Sequence, residues 1–327
     1  MNILKVIKEL NSSFPPLSPP FWAPEGHLQT ILASLLPQNP LPPIDEVHLL
    51  PLENPEEQLH VSYIKGHTET CLYLFHGLGG SIESPYMKRF AHLAKKLGHH
   101  VYLANHRGCG EGKGLARSGY NSGRSEDLSR VIAFGRSRHH QHFHIACGVS
   151  LSANALLLLS AGVRATALPD LAIAVNAPIN LELSAIKLKS GLNRIYDRHF
   201  LRSLKNYLLH NSDSENLKDY FLLESLHDFD NHFTAPVAGY KDREEYYRTC
   251  SAKQFLNQIK VPTLLITSAD DPFIDVSEYK SARFSSSTIL RIEETGGHVG
   301  YLQGQGLGYR YWLDDLLTEV LKTKWAQ

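Results

Sequence analysis

HIACGVSLSANALLLL, from His144 to Leu159, changes character at its middle. His144 to Val149 is a short, mostly apolar run of the kind that makes a buried strand. The residues after Ser150 are mostly leucine and alanine, which favour helix. A polar serine stands where the two meet. Gly148-Val149-Ser150-Leu151-Ser152 has the spacing of a sharp strand-to-helix turn written G-x-S-x-G, with serine where the second glycine is usual. The requirement is steric: a residue held in a tight, strained turn needs small neighbours two places before and two places after. Gly148 meets the first demand, and Ser152, followed by Ala153, is small enough for the second. Such a turn lifts the Ser150 hydroxyl over the carboxyl ends of the strands, beside a helix N-terminus that favours developing negative charge. The plainer reading is a serine satisfied within its turn.

Working outward, elements alternate. Segments 71–77, 100–108, 142–148 and 171–178 read as short buried strands. Between them, 85–98 opens with Pro85, repeats apolar residues at helical spacing and stops at Gly98. Segment 125–138 opens with Ser125 as an N-cap candidate and two acids, and 151–162 consists of helix formers. Strict alternation predicts a mostly parallel central sheet with helices on both faces. It pauses over 180–250, a helical stretch rich in tyrosine and charge, read as a cap inserted above the sheet. It resumes with strands at 261–268 and 287–294 and an amphipathic helix at 309–324. Four regions follow: a proline-rich arm over 1–45, irregular through 11–43; a first core segment over 46–179; the helical cap insertion over 180–250; and a second core segment over 251–327.

The chain has 327 residues, and 33 Lys+Arg balance 33 Asp+Glu. With no basic excess, no nucleic-acid partner is expected. Cys71, Cys109, Cys147 and Cys250 form no CxxC pair, so neither a structural zinc site nor a redox motif is expected, and Cys71 and Cys147 read as small core residues. A reducing compartment, no signal peptide and no membrane-spanning segment together predict a cytoplasmic protein.

A serine hydroxyl needs a base, and the base needs an orienting acid. In a strand-turn-helix of this kind the chain order is serine, acid, histidine. Asp270 and Asp271 end the strand at 261–268, and His298 follows the next strand after two glycines, in EETGGHVGY. With 18 histidines present, His298 stands out only by its position. Asp271 is the preferred acid, because Asp271-Pro272-Phe273-Ile274 puts an apolar pair where it can plug back into the body; Asp270 stays open as the alternative. The first strand ends in His76-Gly77-Leu78-Gly79-Gly80. The N–H groups of Leu78 and Leu151 are the candidates for an oxyanion hole.

Other motifs have blander readings. The glycines after the first strand lack the third glycine of a dinucleotide fingerprint, since position 82 is Ile82. GYLQGQGLGY (300–309) lacks the lysine of a phosphate loop and reads as a flexible connection. RHHQHFH (138–144) reads as a solvated loop rather than a metal site. Arg107 is expected to pair with an acid and hold its loop.

With Ser150, Asp271, His298 and FHGLGG in place, the chain resembles the α/β-hydrolase superfamily and, within it, AB hydrolase family 4. GHLQT (26–30), RGC (107–109), SEDL (125–128), YYRTCSA (246–252), DDPF (270–273) and GGHVGY (296–301) carry the narrower likeness. The resemblance implies an α/β-hydrolase fold and a serine esterase cleaving carboxylic esters through Ser150, Asp271 and His298. It implies no cofactor and no metal, and a small-molecule or lipid-like ester as substrate. Lipase, phospholipase or thioesterase action on longer acyl chains is the alternative within enzymes. A binding module with an idle serine is the alternative outside them.

Overall fold

The structure is a computed structural model that describes residues 2–211 and 217–325. Residues 212–216, inside the expected cap, and Met1, Ala326 and Gln327 at the ends of the expected arm and second core segment lie outside the described residues.

Eight strands make one sheet: β1 (Glu46–Pro51), β2 (Gln58–Ile64), β3 (Thr70–Phe75), β4 (His100–Ala104), β5 (Phe143–Val149), β6 (Leu171–Val175), β7 (Thr263–Ser268) and β8 (Thr288–Glu293). Their spatial order is β1-β2-β4-β3-β5-β6-β7-β8. From β4 to β8 every pairing is parallel, while β1–β2 and β2–β4 are antiparallel. This is the mostly parallel α/β-hydrolase architecture that the alternation and the resemblance predict. The chain leaves β3 for β4 on one side and later enters β5 on the other. The carboxyl ends of β3 and β5 therefore form the switch point where open sheets of this kind place ligands.

Strand periodicity sorts the core. Leu72 and Leu74 of β3 face Met87, Phe90, Trp312 and Leu313 of the helices Pro85–Lys96 and Trp312–Lys322. Cys71, Tyr73 and Phe75 face the other way, onto Leu128, Val131 and Leu156 of the helices Ser125–Arg138 and Leu151–Ser160. A strand covered on both faces must be apolar throughout, which is why β3 reads as an unbroken run. Between β6 and β7 the described residues are helical, from Leu181–Leu188 through Arg194–Asn211 to Arg243–Cys250, with no strand among them. Among the described residues no helix is long and apolar enough to cross a membrane.

Several expectations are corrected. The alternation starts earlier than residue 71: β1 and β2 add an antiparallel edge before it. The proline-rich arm is not irregular throughout, because the helix Gly26–Leu35 lies within it and Gln29 anchors that helix. The buried Gln29 side chain donates to the carbonyls of Ala23 and Leu302 and accepts from the Leu302 amide. The stretch 300–309 is no flexible connection, since most of it lies in the hairpin of β9 (Leu302–Gln305) and β10 (Gly308–Tyr311). The expected helix over 309–324 consequently begins only at Trp312. Ser125 is the first residue of its helix rather than the cap, and its hydroxyl donates to the Val163 carbonyl. The run 138–144 is solvated only in part, at His140 and Gln141. His144 is fully buried in β5, 2.7 Å from the Tyr73 hydroxyl, and His139 and His142 are half-buried. Arg107 does hold its loop: its guanidinium donates to both oxygens of the buried Asp127 and to Glu53 and Ser118.

Candidate active site

The turn between β5 and the helix Leu151–Ser160 is strained as its sequence requires. Ser150 has φ 56° and ψ −118°, a backbone region that a non-glycine residue enters only when its surroundings over-determine it. Its amide donates to the Val175 carbonyl at 2.8 Å, which ties the turn to β6. A Cβ on Gly148 would sit 2.6 Å from the Ser152 carbonyl oxygen, so only glycine fits there. Ser152, in place of the usual glycine, has a niche of its own. It is fully buried, its hydroxyl donates to the His76 carbonyl, and that hydroxyl lies 2.6 Å from His106 Nε2. Burial holds both of these histidines below the ordinary imidazole range, so they stay neutral beside the turn.

His298 stands across the rim. Its Nε2 is 2.9 Å from Ser150 Oγ, and its Nδ1 is 2.7 Å from Asp271 Oδ2. Asp271 is buried, and four donors hold it. Oδ1 accepts the amides of Phe273 and Ile274, each at 3.0 Å, and Oδ2 accepts Asn176 Nδ2 at 2.8 Å together with His298. The Phe273 ring packs 4.0 Å from the imidazole, centroid to centroid. Asp270 faces elsewhere: its Oδ1 accepts the Gly297 amide at 2.9 Å, and burial raises its carboxyl above the usual range. The structure thus brings Ser150, His298 and Asp271 together and leaves Asp270 bracing the glycine turn before the histidine.

Two bracing groups escape a reading by motif order. Thr30 Oγ1 accepts the His298 amide at 2.8 Å and donates to the Gly26 carbonyl at 2.7 Å. Gly26 lies so close to the Asp270 carbonyl that a Cβ there would clash at 1.9 Å. The GHLQT motif is therefore the buttress of the histidine loop. Asn176, at the end of β6 with φ 48°, donates to Asp271 and to the Gly297 carbonyl and accepts the Val299 amide. Its only sequence signal is a lone asparagine at a strand end.

In the loop after β3, three amides are occupied: Gly77 donates to Tyr86 Oη, Gly79 to Tyr120 Oη and Gly80 to the Gly77 carbonyl. The amides of Leu78 and Leu151 have no acceptor among the described residues. Ser150 borders two cavities that also share Leu78, Phe200 and Phe273. One, of about 390 Å³, opens past Tyr196 and His199. The other, of about 80 Å³, runs inward between Leu151, Leu181, Leu188 and Leu204. No cluster of metal-ligating side chains meets at this rim among the described residues.

Residues 72–307 match the family described as the alpha/beta hydrolase family. The chain is 32% identical over 315 residues to the Escherichia coli (strain K12) protein named "Putative esterase YheT", covering 91% of this chain and 90% of that one. It is 26% identical to human phospholipase ABHD3, over 88% of this chain and 73% of the relative. Among solved structures, an esterase of Pyrococcus furiosus, Pf2001, shares the fold with a TM-score of 0.54 at 15% identity, over 85% of this chain and 88% of that chain. The chain belongs to the alpha/beta hydrolase family and is a hydrolase.

Proposed function

We propose that the chain is a serine esterase that cleaves carboxylic esters through an acyl-enzyme on Ser150. The observation that carries this reading is the unbroken line Asp271 Oδ2–His298–Ser150 Oγ, with contacts of 2.7 and 2.9 Å. His298 takes the Ser150 proton as the hydroxyl attacks the ester carbonyl, and delivers it to the departing alkoxide. Asp271 holds the imidazole with its proton on Nδ1 and stabilises the cation that forms. The free amides of Leu78 and Leu151 receive the tetrahedral oxygen, each worth about 3 kcal/mol of barrier in such a role. Water, activated by the same imidazole, then releases the acid.

The helices over 180–250 act as a cap in this reading, and the narrow inner cavity takes the acyl group. Its apolar lining supports lipase-like or phospholipase-like action as a second reading, in keeping with the names of relatives such as human phospholipase ABHD3 and the yeast monoacylglycerol lipase. Four free, buried cysteines support a reducing, cytoplasmic setting. The test is turnover of p-nitrophenyl esters of increasing acyl length. Wild type hydrolyses at least one of them and Ser150→Ala none; equal rates in the two proteins would defeat the assignment.

A further inference from the structure

The amino-terminal edge of the sheet, opposite the rim that carries Ser150, holds an unused cluster. His100 is the first residue of β4, His139 follows the helix Ser125–Arg138, and His142 lies just before β5. The His142 amide donates to the His139 carbonyl at 3.0 Å, so a tight turn presents both rings to the strand start. One nitrogen from each of the three rings lies within 4.8 Å of the other two. The ring centroids of His100 and His139 are 4.2 Å apart, and those of His139 and His142 are 4.8 Å apart. His142 Nδ1 is buried and has no hydrogen-bond partner among the described residues, an arrangement that costs free energy unless something occupies it.

We propose that His100, His139 and His142 form a binding site for a divalent transition-metal ion of the zinc type. Three imidazoles without a carboxylate suit zinc, cobalt, nickel or copper and disfavour magnesium or calcium. The Tyr63 hydroxyl lies 2.6 Å from His100 Nδ1 and 3.2 Å from His139 Nε2. It can accept an N–H from each ring through its two lone pairs, which orients both and leaves the second nitrogen of each with a lone pair for the ion. In that tautomer His100 gives up its longer contact with the Gly66 amide, at 3.2 Å. The nearby Arg138 does not repel the ion unopposed, because Glu46 grips its guanidinium with both oxygens, at 2.9 and 3.0 Å.

Zinc–nitrogen bonds of ~2.0–2.1 Å place tetrahedral ligands about 3.3 Å apart, so the rings must close by up to about 1.5 Å. The two half-exposed rings of the turn can do this by side-chain rotation, leaving the fourth position to water. A bound ion would staple the entry of β5 to the start of β4.

The test uses the full-length, tag-free protein, stripped with a chelator and titrated with Zn²⁺ against a chromophoric competitor. Wild type should take up one equivalent. His139→Ala and His142→Ala should each weaken uptake at least tenfold, whereas His140→Ala, at the exposed neighbour, should bind like wild type. Zn²⁺ should also raise the Tm of wild type and of His140→Ala but not of the other two, which separates lost binding from lost folding. Equal uptake by wild type and a His139→Ala/His142→Ala double variant, or equal weakening by His140→Ala, would overturn the site.

Discussion

Replacing Asp271 with asparagine separates the two neighbouring acids. Asp271 Oδ1 accepts two backbone amides, so the asparagine carbonyl must take that place, because turning its NH₂ there would set it against both donors. The NH₂ is then forced into the Oδ2 position, where it meets Asn176 Nδ2 and His298 Nδ1. The clash with Asn176 leaves a buried donor unpaired, a cost of about 1–3 kcal/mol in stability. Facing a donor, His298 must shift its proton to Nε2, and it can then no longer accept one from Ser150. A change of this kind costs ~10⁴ in kcat, or about 5 kcal/mol of barrier. Asp270→Asn should behave differently, since its amide carbonyl can still accept the Gly297 N–H and its other oxygen has no hydrogen-bond partner among the described residues. We expect kcat to fall less than tenfold there. The assay is steady-state hydrolysis of a p-nitrophenyl ester, with KM changed little in Asp271→Asn because the substrate contacts remain. If Asp270→Asn lost the activity and Asp271→Asn kept more than a tenth of it, the reasoning would be wrong.

Further outcomes follow from other residues. Thr30→Val removes the acceptor of the His298 amide; kcat should fall about fivefold with KM within threefold, a loss of ~1 kcal/mol typical of one hydrogen bond. Arg107→Ala strands the buried Asp127 charge and should cost about 3–5 kcal/mol in urea unfolding, with the residual activity per folded molecule preserved. Gly148→Ala drives a methyl into the Ser152 carbonyl, and a loss of about 1–3 kcal/mol should appear as a Tm lowered by several degrees. Burial raises the Asp230 carboxyl to about 6, above its unfolded value near 3.9. Between those values the folded state binds more protons than the unfolded one, so this group's contribution to stability is lost as pH rises through about 6. Asp230→Asn, whose amide oxygen can still accept from Tyr247, should therefore be more stable than wild type at pH 8, by about 3 kcal/mol, and not at pH 4; a constant difference across pH would refute this.

What could be read from the sequence was whatever a local pattern dictates. β3 to β7 are covered on both faces, so their residues had to be apolar, and the alternation with helices followed. β1 and β2 escaped notice because an edge need not be apolar. Val47 and Leu49 of β1 are exposed, and in β2 the polar His60 and Ser62 interrupt Leu59, Val61 and Tyr63, leaving a period of two where an unbroken run was sought. Ser150, Asp271 and His298 could be placed because each follows a strand and each sits in a distinctive turn. Thr30, Asn176 and the helix Gly26–Leu35 could not, because their importance lies in contacts with segments more than a hundred residues away. The histidines at 139 and 142 looked solvated for the same reason: their third neighbour, His100, comes from another strand.

The most direct test of the central claim is reaction with a fluorophosphonate, followed by peptide mass spectrometry. Only a serine whose proton has somewhere to go reacts at a useful rate. The account predicts a single adduct on Ser150, absent from Ser150→Ala and slowed at least a hundredfold in His298→Ala. An unlabelled wild type, or labelling of Ser150 at the same rate without His298, would contradict it.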